Sequence, residues 1–232
     1  MTALPERVGA VIVAAGRSER MGFDKLWADL AGRPVLAWSI AAIVAARLDE
    51  LVIVASVDAL ERVKALALTL QVSALVVPGG ARRRDSVSAG LAALPNVQWV
   101  AVHDAARPLV TSAILRDGLA AARDSGVAVP ALPVPDTVKL VDGTRVVQTL
   151  PRAPLRLIQT PQIFRRDILA WALTVSEADV TDEAGLIESL GGVVTTFPGQ
   201  TENFKLTYPA DLALMHEIVR RREAERKATA HD

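Results

Sequence analysis

The chain has 232 residues, and 51% of them are hydrophobic but only 4% aromatic, so one α/β core packed by small aliphatic side chains is expected. Its 26 basic and 26 acidic residues cancel, which argues against binding nucleic acid or an anionic membrane surface through bulk charge. The absence of cysteine excludes disulfides and thiolate chemistry. Charged residues stand directly before the first apolar run, and the longest apolar stretch is interrupted, so we expect a cytoplasmic protein without a signal peptide or membrane span.

The first half of the chain alternates apolar runs with helical patterns. Strands are predicted over residues 8–14, 51–56, 72–77, 99–103 and 127–132, and helices over 35–46, 85–94 and 111–123, with another from 58 onwards. Pro34 is placed to begin the first helix, and Asp58 followed by Glu61 predicts a capping box. Strands that alternate with helices at this rhythm predict a doubly wound, mainly parallel sheet.

From Pro133 onwards the alternation of predicted strands and helices is interrupted. Two short β-like runs, 137–141 and 145–150, flank the hairpin dipeptide Asp142-Gly143. A hairpin cannot bury both of its faces alone, so we expect it to pair with something. A helix near 165–174, another after Thr181, a strand over 193–197 and a final helix from Pro209 follow. We predict a single domain over 1–232 with a protruding arm at about 133–158.

The loop that follows the first strand, 14–25, is rich in small residues and cations. Glycines at 16 and 22 let the backbone approach a ligand, and Arg17, Arg20 and Lys25 supply positive charge. This combination predicts a phosphate cradle, with a glycine turn carrying solvated cations as the alternative. The spacing is neither G-x-G-x-x-G nor that of a P-loop. Instead A-A-G-x-x-x-R-M-G-x-x-K resembles the signature loop of sugar nucleotidyltransferases, which wraps the triphosphate of a nucleotide.

Two further segments combine glycines or charges with predicted strand ends. Residues 78–87 read PGGARRRDSV, and three arginines at the positive end of a helix dipole favour an anionic partner, with a solvated helix start as the alternative. Asp104 falls at the carboxyl edge of a strand, where a carboxylate can hold Mg²⁺ or a hydroxyl, although a helix cap is the simpler interpretation. His103 is interpreted as a core histidine whose ring nitrogens are satisfied within the protein.

Several motifs then match one family in order along almost the whole chain. They are AAG…RMG…K, GG-x-x-R-x-DSV at 79–87, HDAARP at 103–108, DT-x-K at 136–139, TPQ at 160–162, TDEA at 181–184 and N-F-K-x-T at 203–207. Together they closely resemble the 2-C-methyl-D-erythritol 4-phosphate cytidylyltransferases. The resemblance implies a Rossmann-like nucleotidyltransferase fold and a reaction in which CTP and the sugar phosphate are joined and pyrophosphate leaves.

The resemblance also implies the site. Arg20 and Lys25 match cations that stabilise the transition state, and Arg152 and Lys205 match the pair that positions the substrate phosphate. The implied nucleotide contacts are Ala14, Ala15, Gly16, Arg17, Gly79, Gly80, Ala81, Arg83 and Ser86. The implied sugar-phosphate contacts are Asp104, Ala105, Arg107, Thr137, Arg152, Thr181 and Lys205. The implied cofactor is Mg²⁺ or another divalent cation, held mainly by the CTP phosphates with Asp104 as the candidate protein ligand.

The implied assembly is a homodimer through the 133–158 arm, which would bring Arg152 and Thr181 to the neighbour's site. Two alternatives stay open: a ribitol-5-phosphate cytidylyltransferase, and a non-catalytic nucleotide sensor that would be expected to have lost Arg20 or Lys25. The loop between these two cations is shorter than is usual in the family, with Phe23-Asp24 in place of a proline. Ala81 stands where an acidic residue is common, so nucleotide selectivity is also open.

Overall fold

The computed structural model describes residues 6–16, 23–178 and 180–229. Among these residues, no helix is long and apolar enough to cross a membrane.

The elements alternate along the first half of the chain as predicted. The strands are β1 (Val8–Ala14), β2 (Asp29–Leu30), β3 (Arg33–Pro34), β4 (Glu50–Ala55), β5 (Leu75–Pro78), β6 (Trp99–Asp104), β7 (Val127–Pro133), β8 (Val138–Asp142), β9 (Arg145–Leu150), β10 (Arg156–Ile158), β11 (Gln162–Arg165) and β12 (Thr195–Pro198). The helices are α1 (Val35–Val44), α2 (Leu60–Thr69), α3 (Arg83–Ala92), α4 (Ser112–Ser125), α5 (Arg166–Val175), α6 (Glu183–Ser189) and α7 (Pro209–Thr229).

The central sheet of the described chain has the strand order β10-β7-β11-β6-β1-β4-β5, with β12 paired to β7. Strands β6, β1, β4 and β5 run parallel to one another, and β12 runs parallel to β7. Strand β11 is antiparallel to both β6 and β7, and β10 is antiparallel to β7. The predicted fold class, a mainly parallel α/β sheet, is confirmed.

Both faces of the sheet are covered by helices. Ile12, Ile53 and Ala101 belong to one buried cluster, which includes residues of α1, α2, α4 and α7. Their strand neighbours Val11 and Val54 belong to a second cluster, which includes residues of α3, α5 and α6. Because strands buried on both sides need apolar residues at every position, β1 is a continuous apolar run rather than an alternating one.

Some local predictions were wrong. The Asp58–Glu61 capping box does not form, because Val57–Ala59 makes a 3₁₀ turn and α2 begins at Leu60 without a side-chain cap. Helix α3 begins earlier than predicted, since the Asp85 carboxylate accepts the Arg82 backbone N–H at 3.1 Å and caps the first turn. Strand β5 begins three residues later than predicted, and the short strands β2, β3, β10 and β11 were missed.

The predicted hairpin is confirmed as β8 and β9, which form a two-stranded sheet separate from the central one. Gly143 adopts φ +57° in its turn, a conformation that favours glycine. Its apolar side chains are largely exposed: Leu140 50%, Val141 53%, Val146 54% and Val147 59%. The hairpin therefore contributes little to the buried core of this chain.

Candidate active site

A cavity of about 1370 Å³ lies at the carboxyl edge of the parallel strands. Its walls include Gly16 just after β1, Ser56 after β4, Gly79 after β5 and Asp104 at the end of β6. Open α/β sheets bind ligands at this edge, because the loops that follow neighbouring parallel strands meet there.

The structure brings most of the predicted site residues to this cavity. Those that line it are Ala15, Gly16, Lys25, Gly79, Gly80, Ala81, Arg83, Ser86, Asp104, Ala105 and Lys205. A second cavity of about 480 Å³ shares Arg83, Asp104 and Lys205 with the first and adds Arg107 and Thr181.

Three predicted residues stand elsewhere. Ala14 is buried in β1, and Thr137 and Arg152 belong to the arm and line neither of these two cavities. Exposed Arg152 donates a hydrogen bond from Nη1 to the Pro135 carbonyl. Two further predicted residues, Arg17 and Arg20, lie outside the described residues.

Gly79 allows two of the predicted nucleotide-binding segments to approach each other. A Cβ at this position would stand 2.5 Å from the Ala15 Cβ and 2.7 Å from the Ser86 Oγ. The Gly80 N–H donates to that Oγ at 3.2 Å, so the Ser86 hydroxyl closes the turn between β5 and α3. The close packing of these backbones explains why a glycine follows β5.

A chain of alternating charges connects the two cavities. The Lys205 Nζ lies 2.7 Å from the Asp104 Oδ2, and the Arg83 Nη2 lies 3.1 Å from the Asp104 Oδ1. The Arg83 Nη1 donates to the buried carboxylate of Glu183 at the start of α6. Lys205, Asp104, Arg83 and Glu183 thus form a continuous row from the segment before α7 to the start of α6.

Burial and pairing act in opposite directions on the two carboxyls of this row. Burial alone would raise the pKa of Asp104, but the charges of Arg83 and Lys205 outweigh it and hold that pKa well below its usual range. Burial raises the pKa of Glu183, and its single cationic partner Arg83 offsets this only in part. Asp104 is therefore a stable anion, available to accept hydrogen bonds from a ligand.

The three consecutive arginines are paired within the protein. Arg82 pairs with Asp85 at 2.8 Å and with Glu177 at 3.1 Å, and Arg84 donates to the carbonyl of Leu173 at 2.9 Å. Their crowding at the start of α3 is thus relieved by the chain itself and gives no argument for an anionic partner. Arg83 stays the one nucleotide-binding candidate among them.

His103 is a buried core histidine, as predicted, and it organises the loop around Asp104. The Arg107 carbonyl can only accept, so the His103 Nε2 donates to it at 3.1 Å. The Nδ1 of the neutral ring then accepts from the Thr160 hydroxyl at 3.2 Å, and that hydroxyl accepts the Asp104 N–H at 3.0 Å. Burial lowers the pKa of His103 to about 4, so the ring is neutral at physiological pH.

The same network reaches a third segment. The Arg107 Nη1 donates to the Asn203 carbonyl at 2.8 Å, and the Asn203 Nδ2 donates to the Thr160 carbonyl at 2.8 Å. The motifs HDAARP, TPQ and N-F-K-x-T are therefore tied together by buried polar atoms, which hold Arg107 and Lys205 beside Asp104.

Sequence reasoning missed the buried polar residues that support the site. Gln162 donates to the Asp182 carboxylate at 2.6 Å, which joins TPQ to TDEA, and Glu183 pairs with Arg83. The only signal was that these residues lie inside motifs, which indicated their importance without indicating their partners.

Divalent metal chemistry depends on the ligands that the protein can offer. No group of three or more His, Cys, Asp or Glu side chains that could hold a metal ion is found among residues 6–16, 23–178 and 180–229. Asp104 offers a single carboxylate, and both of its oxygens already accept from cations. This donor set fits a cation that takes most of its oxygen ligands from a nucleotide's phosphates.

Comparison with known proteins agrees with this geometry. A sequence profile of 2-C-methyl-D-erythritol 4-phosphate cytidylyltransferase matches residues 8–221. The chain belongs to this family. The cytidylyltransferase of Dehalococcoides mccartyi is 44% identical over 93% of this chain and 97% of its own length. That of Frankia casuarinae is 46% identical over 93% of this chain and 82% of its own length. The crystal structure of the Thermus thermophilus cytidylyltransferase superposes with a TM-score of 0.77 at 34% identity, covering 90% of this chain and 98% of that one.

The large cavity lies at the ends of β1 and β5. Arg83, Asp104 and Lys205 line both this cavity and the second one, so the two cavities meet at these three side chains.

Proposed function

We propose that this chain transfers the cytidylyl group of CTP to 2-C-methyl-D-erythritol 4-phosphate, giving 4-diphosphocytidyl-2-C-methyl-D-erythritol and pyrophosphate. The observation that carries the proposal is that Asp104 and Lys205 stand in the same cavity as Gly16, Lys25 and the turn 79–86. A nucleotide and a phosphorylated polyol can therefore occupy adjoining parts of one cavity.

In the proposed reaction, the phosphate oxygen of the sugar phosphate attacks the α-phosphorus of CTP in line with the departing pyrophosphate. Negative charge then accumulates on the α-phosphoryl and leaving oxygens, and Lys25, with Arg20 as a further candidate, neutralises it. Asp104 is the candidate protein ligand of a divalent cation, which would neutralise further charge on the nucleotide's phosphates. The protein contributes positioning and electrostatic stabilisation rather than a covalent step.

Asp104 has the properties required to hold hydroxyl groups of the polyol. Its depressed pKa keeps it ionised, and its oxygens are fixed in direction by Arg83 and Lys205. Lys205 is partly exposed beside it and lines both cavities, so its ammonium can also reach a substrate phosphate.

Pyrophosphate release tests the proposal directly. The protein is assayed with Mg²⁺, CTP and 2-C-methyl-D-erythritol 4-phosphate, beside parallel reactions with ribitol 5-phosphate or with GTP. Pyrophosphate release only with CTP and 2-C-methyl-D-erythritol 4-phosphate supports the proposal. Release with ribitol 5-phosphate favours the alternative cytidylyltransferase. Release with GTP would show that the site does not select CTP. CTP binding without pyrophosphate release favours a sensor.

Gly16→Ala tests the nucleotide side of the cavity. Within the described part of the chain, no heavy atom lies within 4 Å of the place where its Cβ would stand, so the free protein should keep its melting temperature. If phosphates pack against this backbone, we expect the KM for CTP to rise by about tenfold, which corresponds to about 1.4 kcal/mol of lost binding. An unchanged KM for CTP, measured by pyrophosphate release, would place the phosphates elsewhere.

We further propose that the arm joins two copies of the chain. Its exposed Leu140, Val141 and Val146 contribute apolar surface that a monomer leaves in water, and its strands offer unpaired edges. Exposed Arg152 lies on this arm and lines neither cavity of its own chain, so a partner's site is the place where it can act on substrate.

Complementation between two defective variants tests this shared site. Lys25→Ala and Arg152→Ala are each expected to be weakly active, but a mixed dimer holds one site with both wild-type residues. After unfolding and refolding together, an equal mixture should recover about a quarter of the wild-type rate, because half of the dimers are mixed and each has one intact site. If the mixture is no more active than the separate variants, Arg152 acts within its own chain or not at all.

A further inference from the structure

Lys25 occupies the corner of a tight turn. The Asp24 carbonyl accepts the Trp27 N–H at 3.1 Å, which closes a four-residue turn with Lys25 in its second position. The Asp24 Oδ1 also accepts the Leu26 N–H at 3.2 Å, an Asx interaction that favours the same backbone shape. Two hydrogen bonds accepted by Asp24 thus span the backbone of Lys25.

The turn is anchored to the core immediately after Lys25. Leu26 is 6% exposed and packs in the cluster beneath α1. Its carbonyl accepts the Leu36 N–H at 2.9 Å, so the first turn of α1 holds the chain at this point. These contacts fix the end of the turn that follows Lys25.

Trp27, the last residue of the turn, contacts a cation on α2. The Arg62 guanidinium of α2 lies 3.7 Å from the centroid of the Trp27 ring, within the range of a strong cation–π contact. Trp27 is partly buried against the core, whereas Arg62 is exposed on its helix. Trp27, Arg62 and Lys25 all line the large cavity.

We propose that Arg62 and Trp27 form a clamp that positions Lys25 for the reaction. The inference rests on the proposed function, in which the Lys25 ammonium meets the charge that develops at the α-phosphoryl group. A lysine side chain has four rotatable bonds, so a loosely held backbone would spread the ammonium over many positions. Because a small misplacement of a stabilising charge is costly, the clamp acts on kcat through Lys25 without touching substrate.

Substitutions at Arg62 separate positioning from direct binding. Arg62→Ala is expected to lower kcat about 3- to 10-fold with little change in the KM for CTP, since the clamp is lost while Gly16 and the turn 79–86 stay in place. Arg62→Lys keeps a cation near the ring and should recover most of the rate. Lys64→Ala, which removes an exposed cation from the same helix, is the matched control and should keep both constants.

A rise in the KM for CTP with an unchanged kcat would overturn the proposal, because Arg62 would then bind the nucleotide itself. A double-mutant cycle with Lys25→Ala tests the route of the effect. If Arg62 acts through Lys25, its removal should change kcat no further once Lys25 is alanine. Additive losses would show that the two residues act independently.

Trypsin provides a readout that needs no activity. Loosening the turn should expose the bond after Lys25, so cleavage there, followed by mass spectrometry, should be faster in Arg62→Ala than in wild type or in Lys64→Ala. If this cleavage changes while no variant, including wild type, releases pyrophosphate, the clamp stands and the proposed function fails. If pyrophosphate is released but Arg62→Ala has the cleavage rate and kcat of wild type, the clamp is wrong and the function stands.

Discussion

Lys25→Ala is expected to lower kcat by about 100- to 1000-fold, the usual effect of removing one preorganised group that meets charge developing in a transition state. The side chain lines an open cavity rather than the core, so the melting temperature should stay at the wild-type value. The KM for the sugar phosphate should change little, because an interaction made mainly in the transition state is lost from kcat. Steady-state pyrophosphate release and thermal unfolding measure the two quantities.

Lys64→Ala serves as the control for Lys25→Ala, since it removes the same charge from an exposed helical position outside the cavity. A parallel fall in melting temperature and activity of the Lys25 variant would show a structural role instead. A tenfold rise in the KM for CTP without a change in kcat would show that Lys25 binds the ground state only.

Arg83→Leu is expected to reduce the free energy of unfolding by about 3–5 kcal/mol at neutral pH, because it leaves the buried Glu183 carboxylate without its cation. Asp104 would lose one of its two partners but keep Lys205. Denaturant unfolding monitored by tryptophan fluorescence measures the loss. Arg82→Leu is the neighbouring control, and its exposed pairs with Asp85 and Glu177 predict a much smaller change.

The loss in Arg83→Leu should depend on pH with a definite sign. Burial already raises the pKa of Glu183, and without Arg83 it should rise further above the unfolded value. A carboxyl with a raised folded pKa is destabilising when ionised and becomes neutral as the pH falls through that pKa. The difference in stability between variant and wild type should therefore shrink from pH 7 towards pH 5. A difference that is constant over this range would contradict the burial argument.

The contribution of Asp104 to wild-type stability should change with pH in the opposite direction, since it decreases as the pH falls. Its folded pKa lies below the unfolded value, so its contribution is present above the unfolded pKa and is lost as the pH falls through the folded one.

The sequence was sufficient for the fold class and for the elements that form the large cavity. The apolar run of β1 and the glycine at 79 have local causes, because buried strands and close packing restrict residue type at the positions themselves. The hairpin was predictable for the same reason, since Asp142-Gly143 determines its turn. The Asp58–Glu61 pattern was equally local but failed, because the chain tightens into a 3₁₀ turn before α2.

Partners across the sequence could not be predicted in this way. Arg83 pairs with Glu183, 100 positions further along, and the motif GG-x-x-R-x-DSV that singles out this arginine does not indicate that partner. Arg62 and Trp27 belong to different elements, and neither lies in a recognised motif. Strand β11 was not predicted, because its pairing with β6 and β7 depends on the assembled sheet rather than on its own four residues.

The buried network around His103 has a consequence for protein engineering. The segments that contain Asp104, Thr160 and Asn203 lie far apart in the chain, yet hydrogen bonds of His103, Arg107, Thr160 and Asn203 hold them together. Grafting only the ligand-facing residues onto a related nucleotidyltransferase would leave donors and acceptors of that network unsatisfied in the recipient's interior. The three segments should therefore be transplanted together, because each satisfies buried donors and acceptors of the others.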